Sequence, residues 1–277
     1  MIGRRFMKDR KKLRLLKAVL LVITIACLLP VGQSCCLSIQ HEKQQREFKN
    51  IIDRENESET AEEGVRSAKG GIAGSEADGA VILPELAELY ARNNDLVGWL
   101  TVEGTKIDYP VMQCGDDEYY LYHNFDKEED KYGCLFVKSI ADIHTPGTNV
   151  IIYGHHMKDD SMFGDLDRYA SEEFYRQHGQ IFFDTLYETR TYEVMAVFLT
   201  QVSAKEDDSG FQYYKFYQAD TEEEFEDFYE NVKEMSAYDT GLTAEFGDTF
   251  LTLSTCSGFA ENGRFVVVAK RVDTDEK

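Results

Sequence analysis

The stretch that most limits how this chain can fold is Thr249–Phe250–Leu251–Thr252–Leu253–Ser254–Thr255–Cys256, followed by Arg264–Phe265–Val266–Val267–Val268–Ala269. Two β-rich runs joined by the seven residues Ser257 to Gly263, with Gly258, Asn262 and Gly263 among them, read as an antiparallel hairpin. Pairing centred on Ala260 sets Cys256, the last residue of the first strand, opposite Arg264, which opens the second. Directly opposed residues point to the same face of a sheet. A thiol and a guanidinium would then share one end of that face. A cysteine nucleophile needs such a cation when negative charge develops on a carbonyl oxygen.

The rest of the body also reads as mainly β. Short strand-like runs recur at Val97–Val102, Lys106–Met112, Gly133–Val137, Asn149–Tyr153, Gln180–Asp184 and Thr191–Thr200, ahead of the hairpin strands Thr249–Thr255 and Phe265–Val272. Turn residues such as Glu103–Gly104–Thr105, Thr145–Pro146–Gly147 and Gly247–Asp248 separate most of them, which argues for a barrel or sandwich. Helices are expected at Pro84–Asn93, with proline in its first turn, at Met162–Tyr169 and at Glu172–His178. The clearest helix is Thr221–Tyr238. Thr221 and Glu224 form a capping-box pattern there, and Phe225, Phe228, Val232 and Met235 fall on one face.

The N-terminal part is of a different kind. Residues 1–17 carry eight Lys/Arg against one acid, Asp9, and lead into the 14 residues Ala18–Val31, nearly all apolar. That core falls short of the about 20 residues a spanning helix needs, so a cleaved signal peptide competes with an anchor. An uncleaved anchor over 18–39 is expected, with the basic head 1–17 in the cytoplasm and everything after the anchor outside. Residues 40–80, rich in Glu, Lys, Gln, Ser, Gly and Ala, read as an extracellular linker, helical near Gln40–Ile52 and disordered across Asn56–Gly79. The folded domain is expected over 81–277.

Beyond the basic head the chain holds 22 basic and 50 acidic residues, a net charge of −28. Such a body repels a nucleic-acid backbone, so no nucleic-acid partner is expected. Six cysteines in 277 residues do not make a disulfide scaffold. Cys27, Cys35 and Cys36 lie in or beside the apolar segment, leaving Cys114, Cys134 and Cys256 in the body. Of these three, at least one thiol stays free, and Cys256 is expected to be that one. His123, His144 and His178 have no ligand-like spacing, so neither a metal nor a cofactor is expected.

A second run, Asn149–Val150–Ile151–Ile152–Tyr153–Gly154–His155–His156, is a buried-looking strand that ends in two histidines. If it lies parallel and adjacent to the strand ending at Cys256, an imidazole meets the thiol. An imidazole exchanges protons near neutral pH and can activate a cysteine. The 101 residues between His155 and Cys256 make that meeting a matter of tertiary structure. On spacing alone, a strand-end cysteine is more often a small buried hydrophobe.

Thr252–Leu253–Ser254–Thr255–Cys256 with Arg264, preceded by Tyr153–Gly154–His155–His156–Met157 and Met162–Phe163–Gly164–Asp165–Leu166, closely resembles the sortases, class B in particular. The resemblance runs from about Pro84 to Val272 and takes in Gly98–Trp99–Leu100 and Lys106–Ile107–Asp108–Tyr109–Pro110–Val111. It implies an eight-stranded sortase-type β-barrel with an N-terminal helix and a long helix before the last two strands. It also implies a membrane-anchored cysteine transpeptidase of Gram-positive bacteria. In that pattern Cys256 attacks the carbonyl after the Thr of a C-terminal sorting signal, His155 is the general acid/base, and Arg264 stabilises the oxyanion or positions the signal. Ser254 and Thr255 line the signal pocket. A peptidoglycan-precursor amine, or a pilin lysine, resolves the thioacyl enzyme. The sequence departs from the family in Val137–Lys138–Ser139–Ile140, where an Asp-Tyr-Arg-like run is common. His156 is the rival to His155, and adjacent residues of an extended segment point to opposite faces.

Other cysteine enzymes fit less well. L,D-transpeptidases place the thiol beside glycine and histidine, and papain-like hydrolases place it near the mature N-terminus; neither frame is present. The alternative from another class is a non-catalytic adhesion module on a membrane stalk, which would have no use for a reactive Cys256.

Overall fold

A computed structural model describes Lys17, Leu20, Thr24 and residues 35–55, 81–143, 145–202, 211–257 and 262–272. The chain divides into two compact units, Met1–Asn50 and Ile51–Lys277. Residues 35–55 are helical (α1), which takes in the predicted Gln40–Ile52 helix. Most of the predicted anchor over 18–39, and the segment Asn56–Gly79 expected to be disordered, lie outside the described residues. Among the described residues no helix is long and apolar enough to cross a membrane.

Eight strands build the second unit: β1 Leu96–Val102, β2 Asp108–Met112, β3 Leu135–Val137, β4 Asn149–Gly154, β5 Gln180–Thr185, β6 Thr191–Gln201, β7 Phe250–Ser257 and β8 Gly263–Val272. They close into a barrel in the order β1-β2-β3-β4-β7-β8-β6-β5, with β5 returning to β1. Two neighbouring pairs, β2 with β3 and β4 with β7, are parallel; the other pairs are antiparallel. All eight predicted strands are present, with ends differing by a few residues.

The run Phe250–Thr255 lacks the alternation of a half-exposed strand because both of its faces are buried. Phe250 joins Val266 and Val268 of β8 in a cluster on the outer face of the barrel, so by the two-residue period Leu251 and Leu253 point the other way. Helix α5, Glu222–Met235, covers that outer face with Phe225, Phe228 and Val232, and Phe228 stacks on Phe216 at 3.9 Å. Met235, the fourth apolar residue of the predicted stripe, packs at the margin of the cluster, partly buried.

The capping box of α5 is complete. The Thr221 hydroxyl accepts the Glu224 N–H at 3.2 Å, and the Glu224 carboxylate accepts the Thr221 N–H at 3.2 Å. Thr221→Ala should therefore lower unfolding free energy by about 1 kcal/mol in urea titrations of the purified protein, while Thr221→Ser should stay near wild type.

The remaining helices are short: α2 Pro84–Arg92, α3 Tyr119–Tyr122 and α4 Glu172–Gln177, with 3-10 turns at Gly164–Ala170 and Tyr213–Lys215. The helix predicted from Met162 starts two residues later and is 3-10. Met162 takes a positive φ of 53° and forms an isolated bridge with His156, which delays the start.

Candidate active site

β7 and β8 form the hairpin in the expected register, with Cys256 opposite Arg264 and Ser254 opposite Val266. Since Val266 belongs to the outer cluster, Arg264, Cys256 and Ser254 share the outer face. β4 lies beside β7 in parallel, with Tyr153 level with Ser254 and Gly154 with Thr255. One step further, His155 comes level with Cys256, across an inter-strand spacing of about 5 Å between backbones. The three functional groups therefore meet at one end of one sheet face.

Gly154 is required at this strand end. A Cβ there would come within 2.4 Å of Leu135 Cδ2 and 2.8 Å of Phe163 Cδ2, both in buried side chains, so any side chain would force the packing around the His155 segment to shift. The His155 carbonyl also accepts the Phe163 N–H at 2.9 Å. The imidazole is held from its far side, where Nε2–H donates to the Leu121 carbonyl at 2.7 Å. That bond fixes the tautomer and leaves Nδ1 as the nitrogen free to exchange a proton. His156 is exposed and directed elsewhere, 3.3 Å from an Asp167 oxygen.

Cys256 is exposed, which suits a nucleophile that must reach a peptide, while Arg264 is half-buried and donates from Nη1 to the Gly263 carbonyl at 3.0 Å. Cys114 and Cys134 are also free thiols. Cys134 is buried, and the loss of solvent pushes its thiol well above the ordinary range, so it is inert.

Ser254 is buried, its hydroxyl 2.7 Å from that of Tyr213, and burial holds the Tyr213 phenol protonated with a pKa pushed up to about 12. The Thr255 hydroxyl donates to the Gly154 carbonyl at 2.8 Å, which ties β7 to β4 beside the two reactive groups.

These residues line a single groove of about 670 Å³. Its floor is the outer face of β3, β4 and β7, and its walls come from the Tyr213–Lys215 turn on one side and the α3 segment on the other. Cys256, His155, Arg264, Ser254 and Thr255 are all brought together there. Several lining residues carried no signal in the sequence. Asp117 and Glu118 are two of them. Tyr122 is another, 60% exposed at the rim. Tyr213 and Tyr214, just ahead of the acidic helix and compatible in sequence with either packing or a place in the groove, line it as well. Among the described residues no cluster of three or more His, Cys, Asp or Glu is arranged to hold a metal ion.

A groove of this shape has room for an extended peptide along the sheet, with the Cys256 thiol exposed at its end. Fold and site together define a cysteine acyl-transfer enzyme built on a closed barrel. The Sortase domain family model matches residues 100–272, and the chain belongs to the sortase family. A sortase B of Listeria monocytogenes is 36% identical over 194 residues, covering 68% of this chain and 74% of that protein. The structure of sortase B from Bacillus anthracis aligns with a TM-score of 0.68 and 31% identity, over 85% of this chain and 97% of that one. A substrate complex of Staphylococcus aureus sortase B aligns at 0.66 and 26% identity, over 84% and 95%. The chain is thus a class B sortase, a cysteine transpeptidase of cell-surface protein sorting.

Proposed function

We propose that Cys256, His155 and Arg264 carry out a two-step acyl transfer in this groove. The Cys256 sulfur attacks the carbonyl after the Thr of a sorting-signal peptide, forming a C–S bond. As the scissile C–N bond breaks, the His155 imidazolium gives its proton to the departing amine. An acceptor amine, from a peptidoglycan precursor or a pilin lysine, then attacks the thioester. His155 takes the amine's proton, and the thiolate leaves. Arg264 balances the negative charge on the carbonyl oxygen in both steps, or positions the signal for them. Ser254 lines the pocket, and Thr255 does so as the link between β4 and β7.

The observation that carries this reading is the register. The parallel pairing of Gly154 with Thr255 and the antiparallel pairing of Cys256 with Arg264 bring three distant residues level on one face. Incubating the protein with Asn-Pro- and Leu-Pro-type sorting peptides and a small amine tests it, with mass spectrometry reading both transfer product and acyl-enzyme. No product and no Cys256-linked adduct with any of them would overturn the assignment. Arg264→Ala should lower kcat/KM by ~10²-fold or more, the usual loss for an oxyanion donor. A near wild-type rate would remove Arg264 from the mechanism.

Residues 18–39 are proposed to anchor the enzyme, with 40–80 as a stalk and 81–277 as the catalytic domain outside. The eight basic residues of 1–17 ahead of an apolar run support this orientation. In membranes from expressing cells, the protein should resist alkaline carbonate extraction. Release into the soluble fraction would argue against the anchor.

A further inference from the structure

Lys138 lines the groove in the loop where this sequence departs from the run common in its family. Among the described residues its ammonium has no ion pair and no hydrogen bond. It is half-buried, and what it faces is the Tyr153 ring, whose centroid lies 5.3 Å away. An ammonium held over a ring keeps its three N–H donors for something else. The Tyr153 hydroxyl lies buried beside that of Tyr217, each out of reach of solvent. Burial pushes both phenols up, so both stay protonated and neutral. This part of the groove therefore offers a cation without an ion pair, in a chain of net charge −21. Asp117 and Glu118 line the same groove. The Asp117 carboxylate is already engaged, taking the Ser139 N–H at 2.7 Å.

The register places this feature relative to the thiol. Tyr153 is level with Ser254, two residues before Cys256 on the adjacent strand, so the backbones of Tyr153 and Cys256 are about 8 Å apart. An extended peptide advances about 3.3 Å per residue. With its carbonyl at Cys256, a residue two to four positions before the scissile bond lies over Tyr153 and within reach of Lys138. That half of the peptide stays on the enzyme as the thioester, so the groove must hold it.

We infer that Lys138 is a specificity-determining residue that recognises a carboxylate side chain in the acyl half of the peptide, two to four residues before the scissile bond. The inference rests on the acyl-transfer reading above. The test uses Thr-containing sorting peptides in which the second, third and fourth residue before the bond is in turn Asp or Asn. The readout is the Asp/Asn ratio of kcat/KM for the full-length protein. Wild type should favour Asp at one position by roughly tenfold at low salt, the scale of one charge-assisted hydrogen bond. The preference should shrink as salt is raised. Lys138→Met should bring the ratio near one, Lys138→Glu should invert it, and Lys138→Arg should restore it. Turnover with no Asp preference at any position, or a preference that survives Lys138→Met and Lys138→Glu, overturns this inference alone. No acyl-enzyme with any peptide overturns the acyl-transfer reading as well, and the inference falls with it.

Discussion

Replacing Cys256 by alanine should lower turnover of a sorting-signal peptide by at least ~10⁴-fold and abolish every covalent adduct, because no other group in the groove can form the thioester. Cys114 does not line the groove, and Cys134 is buried, its thiol held protonated by loss of solvent. The variant should still fold. Cys256 is exposed at a strand end, so the change leaves no cavity in the core. Circular dichroism and thermal melting would show this, while intact-mass measurements after incubation with peptide would report the missing adduct. Serine tests the same point more sharply: it keeps the shape but is a much weaker nucleophile at neutral pH. A Cys256→Ala protein that still formed an acyl-enzyme would move the nucleophile elsewhere and dissolve the mechanism.

His155→Ala should cost ~10²- to 10⁴-fold in kcat, the range for a positioned general acid/base. Its imidazole is held by the Leu121 carbonyl at 2.7 Å, so the ring stays oriented through the reaction and only Nδ1 takes part in proton exchange. His156→Ala should have far less effect, because that ring is turned toward Asp167, outside the groove. Steady-state kinetics with one peptide and one amine would compare the two directly. Equal losses for both, or a larger loss for His156→Ala, would show that the strand end is read wrongly. Gly154→Ala should also lower the rate, even though it removes no reactive group, because the added Cβ crowds Leu135 and Phe163 beside the strand end that carries His155.

Much of this site was legible in the chain because its parts are local. The hairpin register follows from two β-rich runs and the loop between them. The two-residue period of a strand then puts Cys256 and Arg264 on one face. The eight strands were legible for the same reason, as was α5, whose capping box and apolar stripe are written within one stretch. Helix α3 was not, since four residues carry too little periodicity to separate from a turn. Nor was the wall beside α3, where Asp117 and Glu118 line the groove.

By itself the sequence determined the chemistry available: one thiol and one guanidinium in fixed register, and a strand ending in Gly154 and two histidines. Only the tertiary structure decided which imidazole lines the groove, by laying β4 parallel to β7 so that His155 and not His156 comes level with Cys256. It also decided that Lys138 reaches the Tyr153 ring, a contact between the loop after β3 and strand β4 that no local pattern encodes. The physical reason is sequence distance. Register within a hairpin is set by its own turn and strand period, whereas a pairing across 101 residues is set by which faces the whole barrel must bury.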